Sequence, residues 1–275
     1  MFDIYMEGIL SPEDDLYFLR RYSQYDNSPT KKEYCAFQYV NQKLDALADY
    51  LPKKFFTNCE DDFSFAVQLM LWVHKFLIAD GEVIPVRPFH CLNILEKTRT
   101  EGVGSNCWMF SVVLNEILLS FGYKSRVIRC MPMDLRFNDC HCIVQAYIKK
   151  YNKWVALDPS FGTYYTDVQK NPINLQELRK SIIRGDPFCM PFKPAKYSKS
   201  MTAYWYKNIF RFETYAVSKF NTESDPNSVV IYALLPAGYE LVSKRIQYRN
   251  RESHWIYIHN EKEFWKGPDD ETFKV

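Results

Sequence analysis

Apolar residues recur at helical spacing in several stretches of the chain, and polar capping residues mark where these stretches begin. The clearest stretch runs from Cys107 to about Phe121, with its apolar side chains on one face, and Gly122 is expected to end it. Asn106 is the predicted N-cap, because its side-chain oxygen can accept a backbone N–H of the first turn. The same patterns predict further helices after Ser11, over Lys31–Leu51, from Asp61 or Asp62 to Ala79, over Cys91–Thr98 and over Asn174–Ile183.

Shorter runs of β-branched and aromatic residues follow the helix that begins at Cys107. They predict three strands: Tyr123–Cys130, Asp139–Ile148 and Lys153–Asp158. The last two are close enough for a hairpin. Folding that hairpin between positions 149 and 150 places His141 opposite Asp158. The same register pairs Ile143 with Ala156 and Gln145 with Trp154, with Val144 beside Val155 on the other face. A longer loop would move this register by one or two positions.

The C-terminal part of the chain is rich in aromatic and β-branched residues. Four segments are predicted to be antiparallel strands: Thr202–Phe212, Val229–Leu235, Tyr239–Tyr248 and His254–His259. These strands either extend the central sheet or form a small second β unit. Helices and antiparallel strands in this order indicate an α+β fold.

Composition excludes several classes of protein. The 275 residues are 47% hydrophobic and 25% charged, which is ordinary for a globular protein with a sizeable core. A net charge of +2 gives no electrostatic footprint for nucleic acid. No apolar run is long enough to span a membrane, and the N-terminus lacks the pattern of a secretory signal. We therefore expect a cytoplasmic protein that binds neither nucleic acid nor membrane.

The eight cysteines are expected to be reduced thiols, because a long chain without a secretory signal does not need a disulfide framework. A metal site at Cys140-His141-Cys142, with Cys130, is the alternative. Residues two apart on a strand share a face, so both neighbouring cysteines point away from His141. The usual zinc spacings are also missing. We predict no metal.

Cys107 occupies a position that favours reactivity. The positive end of the helix dipole stabilises a thiolate, and the backbone N–H groups beside it can hold a developing oxyanion. The alternative is that Cys107 is a small buried apolar residue. His74, inside the helix predicted from Asp61 or Asp62 to Ala79, is expected to be a hydrogen-bonded core or interface histidine without a catalytic role.

Two sets of residues resemble the transglutaminase-like superfamily. The first resembles its cysteine helix and first strand: Gly104-Ser105-Asn106-Cys107-Trp108, Phe110-Ser111, Gly122-Tyr123 and Arg126-Val127. The second resembles its histidine and aspartate strands: His141, Val144, Tyr147, Trp154 and Asp158-Pro159. The resemblance covers roughly Phe89 to Thr166 and implies a papain-like α+β core, in which a cysteine helix packs on an antiparallel sheet.

The resemblance also implies site residues. Cys107 would be the nucleophile, His141 the general base and then acid, and Asp158 the group that orients His141. The chain departs from the family pattern at Cys142, where many relatives carry an aromatic residue. No side-chain oxyanion donor can be assigned, and Trp108 and Asn106 are the candidates for the oxyanion site or cleft.

The predicted function is cysteine-dependent acyl transfer, with hydrolysis of an amide or peptide bond through a thioester and without a cofactor. Bacterial-type relatives indicate a peptide or protein substrate. The alternatives are cross-linking by transfer to an amine, a non-catalytic peptide-binding module, and a metal- or redox-responsive protein that uses Cys140 and Cys142. The predicted organisation is an N-terminal helical segment over 1–88, the catalytic core over 89–168, a helix with a proline-rich connector over 169–200, and a β-rich extension over 201–275.

Overall fold

A computed structural model of the chain describes residues 11–28, 35–38, 47, 50–51, 59–133, 140–193, 195–222, 229–239, 254–268 and 273–274. The helices within these ranges are α1 Pro12–Arg21, α2 Asp62–Phe76, α3 Cys91–Glu101, α4 Cys107–Ser120, α5 Leu175–Arg184, α6 Ala195–Asn208 and α7 Glu261–Phe264. The strands are β1 Ala36–Gln38, β2 Ile78–Ala79, β3 Gly104–Ser105, β4 Ser125–Met131, β5 His141–Ile148, β6 Lys153–Asp158, β7 Thr163–Tyr164, β8 Arg211–Tyr215, β9 Val217–Ser218, β10 Val230–Leu234, β11 His254–Ile258 and β12 Phe273–Lys274.

A central sheet organises the described part of the chain. Its seven described strands lie in the order β11-β10-β8-β4-β5-β6-β7, antiparallel except for the β10–β11 pair. Alternate residues of β5 face opposite sides, as the two-residue period of a strand requires. Cys142 and Val144 enter the core formed with α2, α3 and α4, whereas Ile143 enters the core formed with α5 and α6. The fold is therefore a mixed α and β structure with helices on both faces of one sheet.

Most of the predicted helices are confirmed, with small changes at their ends. Asn106 caps α4 by accepting the backbone N–H of Met109, and Gly122 has the left-handed φ of 78° expected of a residue that ends a helix. The helix α2 ends at Phe76, before the predicted Ala79, because Ile78 and Ala79 pair as a strand with Gly104 and Ser105.

The helix predicted over Lys31–Leu51 is wrong at Ala36–Gln38, which form the strand β1 between β9 and β12. Hydrogen bonding to neighbouring strands overrides the helical spacing of the apolar residues there. Apart from Cys35, Leu47, Tyr50 and Leu51, the remainder of that prediction lies outside the described residues.

The β5–β6 hairpin forms, but its register differs by two positions from the predicted one. Gln145 pairs with Ala156, and Tyr147 pairs with Trp154. The connection is a four-residue loop made of a 3₁₀ turn over Lys149–Tyr151 and Asn152 in the left-handed region. A shift of two residues keeps each side chain on its original face, so the predicted inward and outward positions survive.

The C-terminal strands β8, β10 and β11 extend the central sheet, which resolves the alternative left open by the sequence. The strand predicted over Thr202–Phe212 is wrong in its first part, because residues up to Asn208 form α6 and only Arg211 onwards is extended. The pair β10–β11 is parallel and not antiparallel. Beyond Tyr239, the strand predicted to end at Tyr248 lies outside the described ranges.

Among the helices in the described part of the chain, none has the length and apolar character needed to cross a membrane.

Candidate active site

Cys107 is the first residue of α4 and is partly exposed. Asn106 fixes the start of this helix through both ends of its amide: Oδ1 accepts from Met109 N–H at 3.1 Å, and Nδ2 donates to the Val83 carbonyl at 3.4 Å. Gly104 leads into the turn, and a Cβ there would lie 2.4 Å from Asp80 Cβ. The strand pairing before the helix therefore requires glycine at this position, and Cys107 follows it at the start of β5.

Two contacts join the first turns of α4 to the beginning of β5. Cys107 Sγ lies 3.7 Å from the Cys140 carbonyl oxygen, and Ser111 Oγ donates a hydrogen bond of 2.8 Å to the Cys142 carbonyl. The Cys107 sulfur also interacts electrostatically with Cys142 and with the imidazole of His141. The structure thus places Cys107 at the point where β5 begins.

His141 and Asp158 form a buried pair, with 2.7 Å between Nε2 and Oδ2. The carboxylate receives three further hydrogen bonds: Tyr165 donates to Oδ2 at 2.7 Å, while Ser160 Oγ and Phe161 N–H donate to Oδ1 at 2.9 and 3.1 Å. This set of donors satisfies the carboxylate and fixes its orientation toward the imidazole. The hairpin register moves Asp158 away from the position directly opposite His141, yet the two side chains still meet on one face.

Aromatic rings enclose the imidazole of His141. The Phe161 ring lies 4.9 Å from it at an interplanar angle of 31°, and the Tyr204 and Trp205 rings each approach edge-on at 5.4 Å. Tyr204 and Trp205 belong to α6, which the sequence pattern assigns to a strand. Sequence reasoning therefore missed both residues, and their spacing from the aspartate strand gives no local signal that would find them.

The turn after Asp158 is held from α2. His74 Nδ1 donates to the Pro159 carbonyl, with 3.0 Å between nitrogen and oxygen. Gly162 has a φ of 61°, and a Cβ there would lie only 2.4 Å from the His74 ring. The prediction of a hydrogen-bonded histidine is confirmed. His74 supports the segment that carries Asp158 and Phe161 without touching the thiol.

The charged groups of the site shift one another's pKa values. The hydrogen bond from Cys142 is the largest influence on Cys107; burial opposes it, His141 adds a hydrogen bond and a positive charge, and the net effect lowers the pKa of Cys107 well below its usual value. Burial by itself disfavours the charged imidazole, but the Asp158 carboxylate and the Cys107 thiolate outweigh it and raise the pKa of His141 to about 10. The three shifts together favour a thiolate on Cys107, an imidazolium on His141 and a carboxylate on Asp158.

Trp108 and Asn106, the two remaining candidate residues, flank Cys107 in the chain, and their side chains contact other groups. The Trp108 ring packs edge-on against the Phe89 ring, with 4.7 Å between centroids. The Arg129 guanidinium lies over the same indole ring, 4.7 Å from its centre. The amide of Asn106 is engaged as the helix cap. Trp108 thus packs against Phe89 and Arg129, and the N–H groups of the first turn of α4 lie at the same end of the helix as Cys107.

Cys107, Cys130, Cys140 and Cys142 are all reduced thiols. Within the described residues, no group of three or more histidine, cysteine, aspartate or glutamate side chains is arranged to hold a metal ion.

Residues 49–159 match the family model of the transglutaminase-like superfamily. Among solved structures, the chain is similar to a proposed cysteine protease from Cytophaga hutchinsonii, at 20% identity and a TM-score of 0.33, over 43% of this chain and 37% of that one. It is also similar to Legionella pneumophila LapG treated with EGTA, at 12% identity and a TM-score of 0.27, over 62% of this chain and 99% of that one. No curated protein matches the chain. The resemblance carried by the sequence is confirmed, since the match to the transglutaminase-like superfamily model spans residues 49–159, which include Cys107, His141 and Asp158.

Proposed function

We propose that this chain is a cysteine-dependent acyl-transfer enzyme that hydrolyses amide bonds in peptides or proteins. The observation that carries the proposal is the meeting of the partly exposed Cys107 with the start of β5, where its Sγ lies 3.7 Å from the Cys140 carbonyl oxygen, directly before His141, whose Nε2 hydrogen-bonds to the buried carboxylate of Asp158. Strongly shifted pKa values that arise from burial and a specific charge partner are typical of functional sites.

The first step needs no proton transfer from the thiol, because the low pKa of Cys107 and the high pKa of His141 favour the ion pair in the resting site. The Cys107 thiolate attacks the carbonyl carbon of the substrate, and the electron pair moves to the carbonyl oxygen. Backbone N–H groups in the first turn of α4, together with the dipole of that helix, stabilise the oxyanion. Asn106 keeps those groups in place by capping the helix.

Collapse of the tetrahedral intermediate breaks the C–N bond. His141 donates its proton to the leaving amine, and a thioester on Cys107 remains. Because Nε2 of His141 is held by Asp158, Nδ1 is the nitrogen that faces the reacting atoms. Neutral His141 then takes a proton from water, which attacks the thioester, releases the acid and restores the thiolate. Asp158 stabilises the imidazolium and fixes its orientation throughout.

An electrophilic peptide probe with intact-mass detection tests this proposal. A peptidyl vinyl sulfone library should add one probe to Cys107, and Cys107→Ala should remove the adduct while a Cys189→Ala variant keeps it. The probes that react identify peptide sequences for a hydrolysis assay read by product mass. Equal modification of Cys107 and the exposed Cys189, with no cleavage of any peptide, would contradict the proposal.

Addition of a primary amine to the same assay separates hydrolysis from cross-linking. Hydrolysis predicts a free acid as the main product at millimolar amine, whereas a cross-linking enzyme would give mainly the amide of the added amine. A peptide-binding module would bind the library equally well after Cys107→Ala and would release no product in either form.

A further inference from the structure

A cavity on the α5 side of the sheet shares no residue with the candidate active site. Its volume is about 220 Å³, and it lies between α5, the chain that follows α1, and α7 with Trp265. Leu178 and Ile182 of α5 pack in the core. The neighbouring face of the same helix lines the cavity with residues three and four apart, which are Gln176, Arg179, Lys180, Ile183 and Arg184.

Positive charge predominates on the walls of this cavity. Arg179, Lys180 and Arg184 line it, and among the described lining residues Glu261 is the one acid. That carboxylate is already bound, because it accepts a hydrogen bond of 2.7 Å from Gln176 Nε2 and lies 3.5 Å from Lys180 Nζ. One of the three cations is therefore compensated, and the two guanidinium groups are not.

Arg179 is buried in a fixed orientation. Its guanidinium donates to three backbone carbonyls, those of Tyr22 at 2.8 Å, Ser23 at 3.0 Å and Ile209 at 3.3 Å. It also lies 4.8 Å from the centre of the Tyr25 ring. These partners orient the group but carry no negative charge, and no carboxylate of the described chain forms an ion pair with it. A buried cation in this state gains stability when an anion approaches it.

Three further donors at the cavity have no acceptor within the described ranges. Arg184 is exposed and forms neither a hydrogen bond nor an ion pair there. The hydroxyl of Tyr25 and Nε1 of Trp265 are buried and lack hydrogen-bond partners. Burial raises the pKa of Tyr25 to about 12, although the Arg179 charge opposes this shift, so the hydroxyl keeps its proton and can donate. Buried donors without an acceptor are rare in native proteins and indicate a missing partner.

We propose that this cavity is a binding site for a small dianion that carries carboxylate or phosphate oxygens. Two negative charges match the guanidinium groups of Arg179 and Arg184, which bind such oxygens well. The same oxygens are acceptors for Tyr25 and Trp265. Ordered water would satisfy these donors but would bring no charge.

The volume of the cavity limits the size of the dianion. At about 30 Å³ for each water molecule, 220 Å³ corresponds to about seven waters. Inorganic phosphate and succinate are compact dianions that represent the two sources of the same chemistry, and both serve as probes.

A titration followed by the tryptophan indole signals tests this proposal on the full chain. Trp265 gives one of six ¹⁵N indole signals, and the Trp265→Phe variant identifies it. Potassium phosphate and potassium succinate are added separately at about pH 8, with potassium chloride keeping the ionic strength constant. The Trp265 signal should shift saturably, with half-saturation at about 1 mM or below, while the Trp108 signal stays in place. A shift with one dianion alone supports the site and identifies its ligand as a phosphate or as a dicarboxylate.

Substitutions at the cavity connect the shift to the proposed contacts. Arg184→Gln removes one of the two uncompensated charges at an exposed position and should raise the half-saturation concentration at least tenfold. Tyr25→Phe removes one donor and should raise it about threefold. Arg99→Gln is the matched control, because Arg99 is exposed on α3 at the other face of the sheet, and it should titrate as wild type.

Two results would overturn the proposal. A Trp265 signal that moves no more with either dianion than with chloride would mean that the cavity holds water alone. Equal half-saturation in wild type and Arg184→Gln would mean that the dianion acts elsewhere. If Trp265→Phe fails to fold, the dependence of any saturable indole shift on Arg184 still decides the result. The titration needs no peptide, so its failure and the failure of the proposed hydrolysis are independent.

Discussion

The sulfur end and the imidazole end of the site are built in different ways. Cys107 is partly exposed and is held by its neighbours in sequence, chiefly the Asn106 cap and the turn at Gly104. His141 is completely enclosed. Phe161, from the loop after β6, and Trp205, from α6, pack against its ring. The position of the proposed nucleophile is set by local structure, whereas its proposed partner depends on packing between distant parts of the chain.

The difference has an electrostatic consequence. A thiolate at the start of a helix is stabilised by the helix itself. An imidazolium in an apolar enclosure has no such support and stays charged because Asp158 and Cys107 supply negative charge on either side. We therefore expect substitutions at the sulfur end to affect chemistry alone, and substitutions at the imidazole end to affect both chemistry and folding.

The largest expected effect on turnover is at the sulfur. Cys107→Ala should lower kcat/KM by about 10⁴-fold or more, because no nucleophile remains. The free energy of unfolding in urea should change by less than about 1 kcal/mol, since the side chain is small and partly exposed. Cys189→Ala is the control and should leave both quantities near wild type. Residual turnover above a tenth of wild type in Cys107→Ala would remove this residue from the reaction.

Asp158→Asn should reduce kcat/KM by about 10³- to 10⁴-fold, because the imidazole loses its orienting carboxylate. It should also lower the free energy of unfolding by about 3 kcal/mol or more, since His141 loses the charge that compensates its burial. The Asp186→Asn variant, at an exposed position, serves as the control for the same chemical change. An Asp158→Asn protein as stable and as active as wild type would show that the pair is incidental.

Removal of one of the aromatic rings that enclose His141 should mainly lower the free energy of unfolding. Trp205→Ala removes a fully buried indole and should cost about 3–5 kcal/mol in urea unfolding. Trp108→Ala, on the partly exposed sulfur side, should cost less than half as much. Equal losses of unfolding free energy from Trp205→Ala and Trp108→Ala would contradict the distinction between the locally held sulfur end and the enclosed imidazole end.

A smaller effect is expected at the turn that carries Asp158. Gly162→Ala places a Cβ in a left-handed backbone and against His74, and should lower stability by about 2–3 kcal/mol. Gly185→Ala carries similar backbone strain with nothing within 4 Å of the new Cβ, so it should cost only about 1 kcal/mol. The difference between the two variants measures the His74 contact. The stability cost of Gly162→Ala should be smaller in a His74→Ala background than in wild type. An equal cost in the two backgrounds would mean that His74 does not hold this turn.

The same contrast explains what the sequence could predict. The Asn106 cap, the glycine at position 122 and the strand Lys153–Asp158 carry strong local signals, and the structure agrees with them. The predicted register of the β5–β6 hairpin is wrong by two positions, because the sequence pattern does not distinguish a 3₁₀ turn over Lys149–Tyr151 from a shorter turn. An even shift preserves faces, so His141 and Asp158 are brought together in spite of that error.

Tyr204 and Trp205 show where local signals fail. Their aromatic neighbourhood favours a strand by composition, yet they form a helix whose rings cover His141. Aromatic side chains fill a core equally well from either type of element, so only the packed structure decides between them. The hydrogen bond from Tyr165 to Asp158 likewise depends on a turn whose path is set by the contact between His74 and Gly162.

The rate of alkylation of Cys107 by iodoacetamide as a function of pH tests the central claim most directly. A thiolate paired with an imidazolium should react at a nearly constant rate through the range in which an ordinary thiol ionises. The rate should fall on the acid side, where the lowered pKa of Cys107 is crossed, and should change again near pH 10 as His141 loses its proton. A single rise with a midpoint near 8.5, the behaviour of an ordinary thiol such as glutathione, would contradict the ion pair and the account built on it.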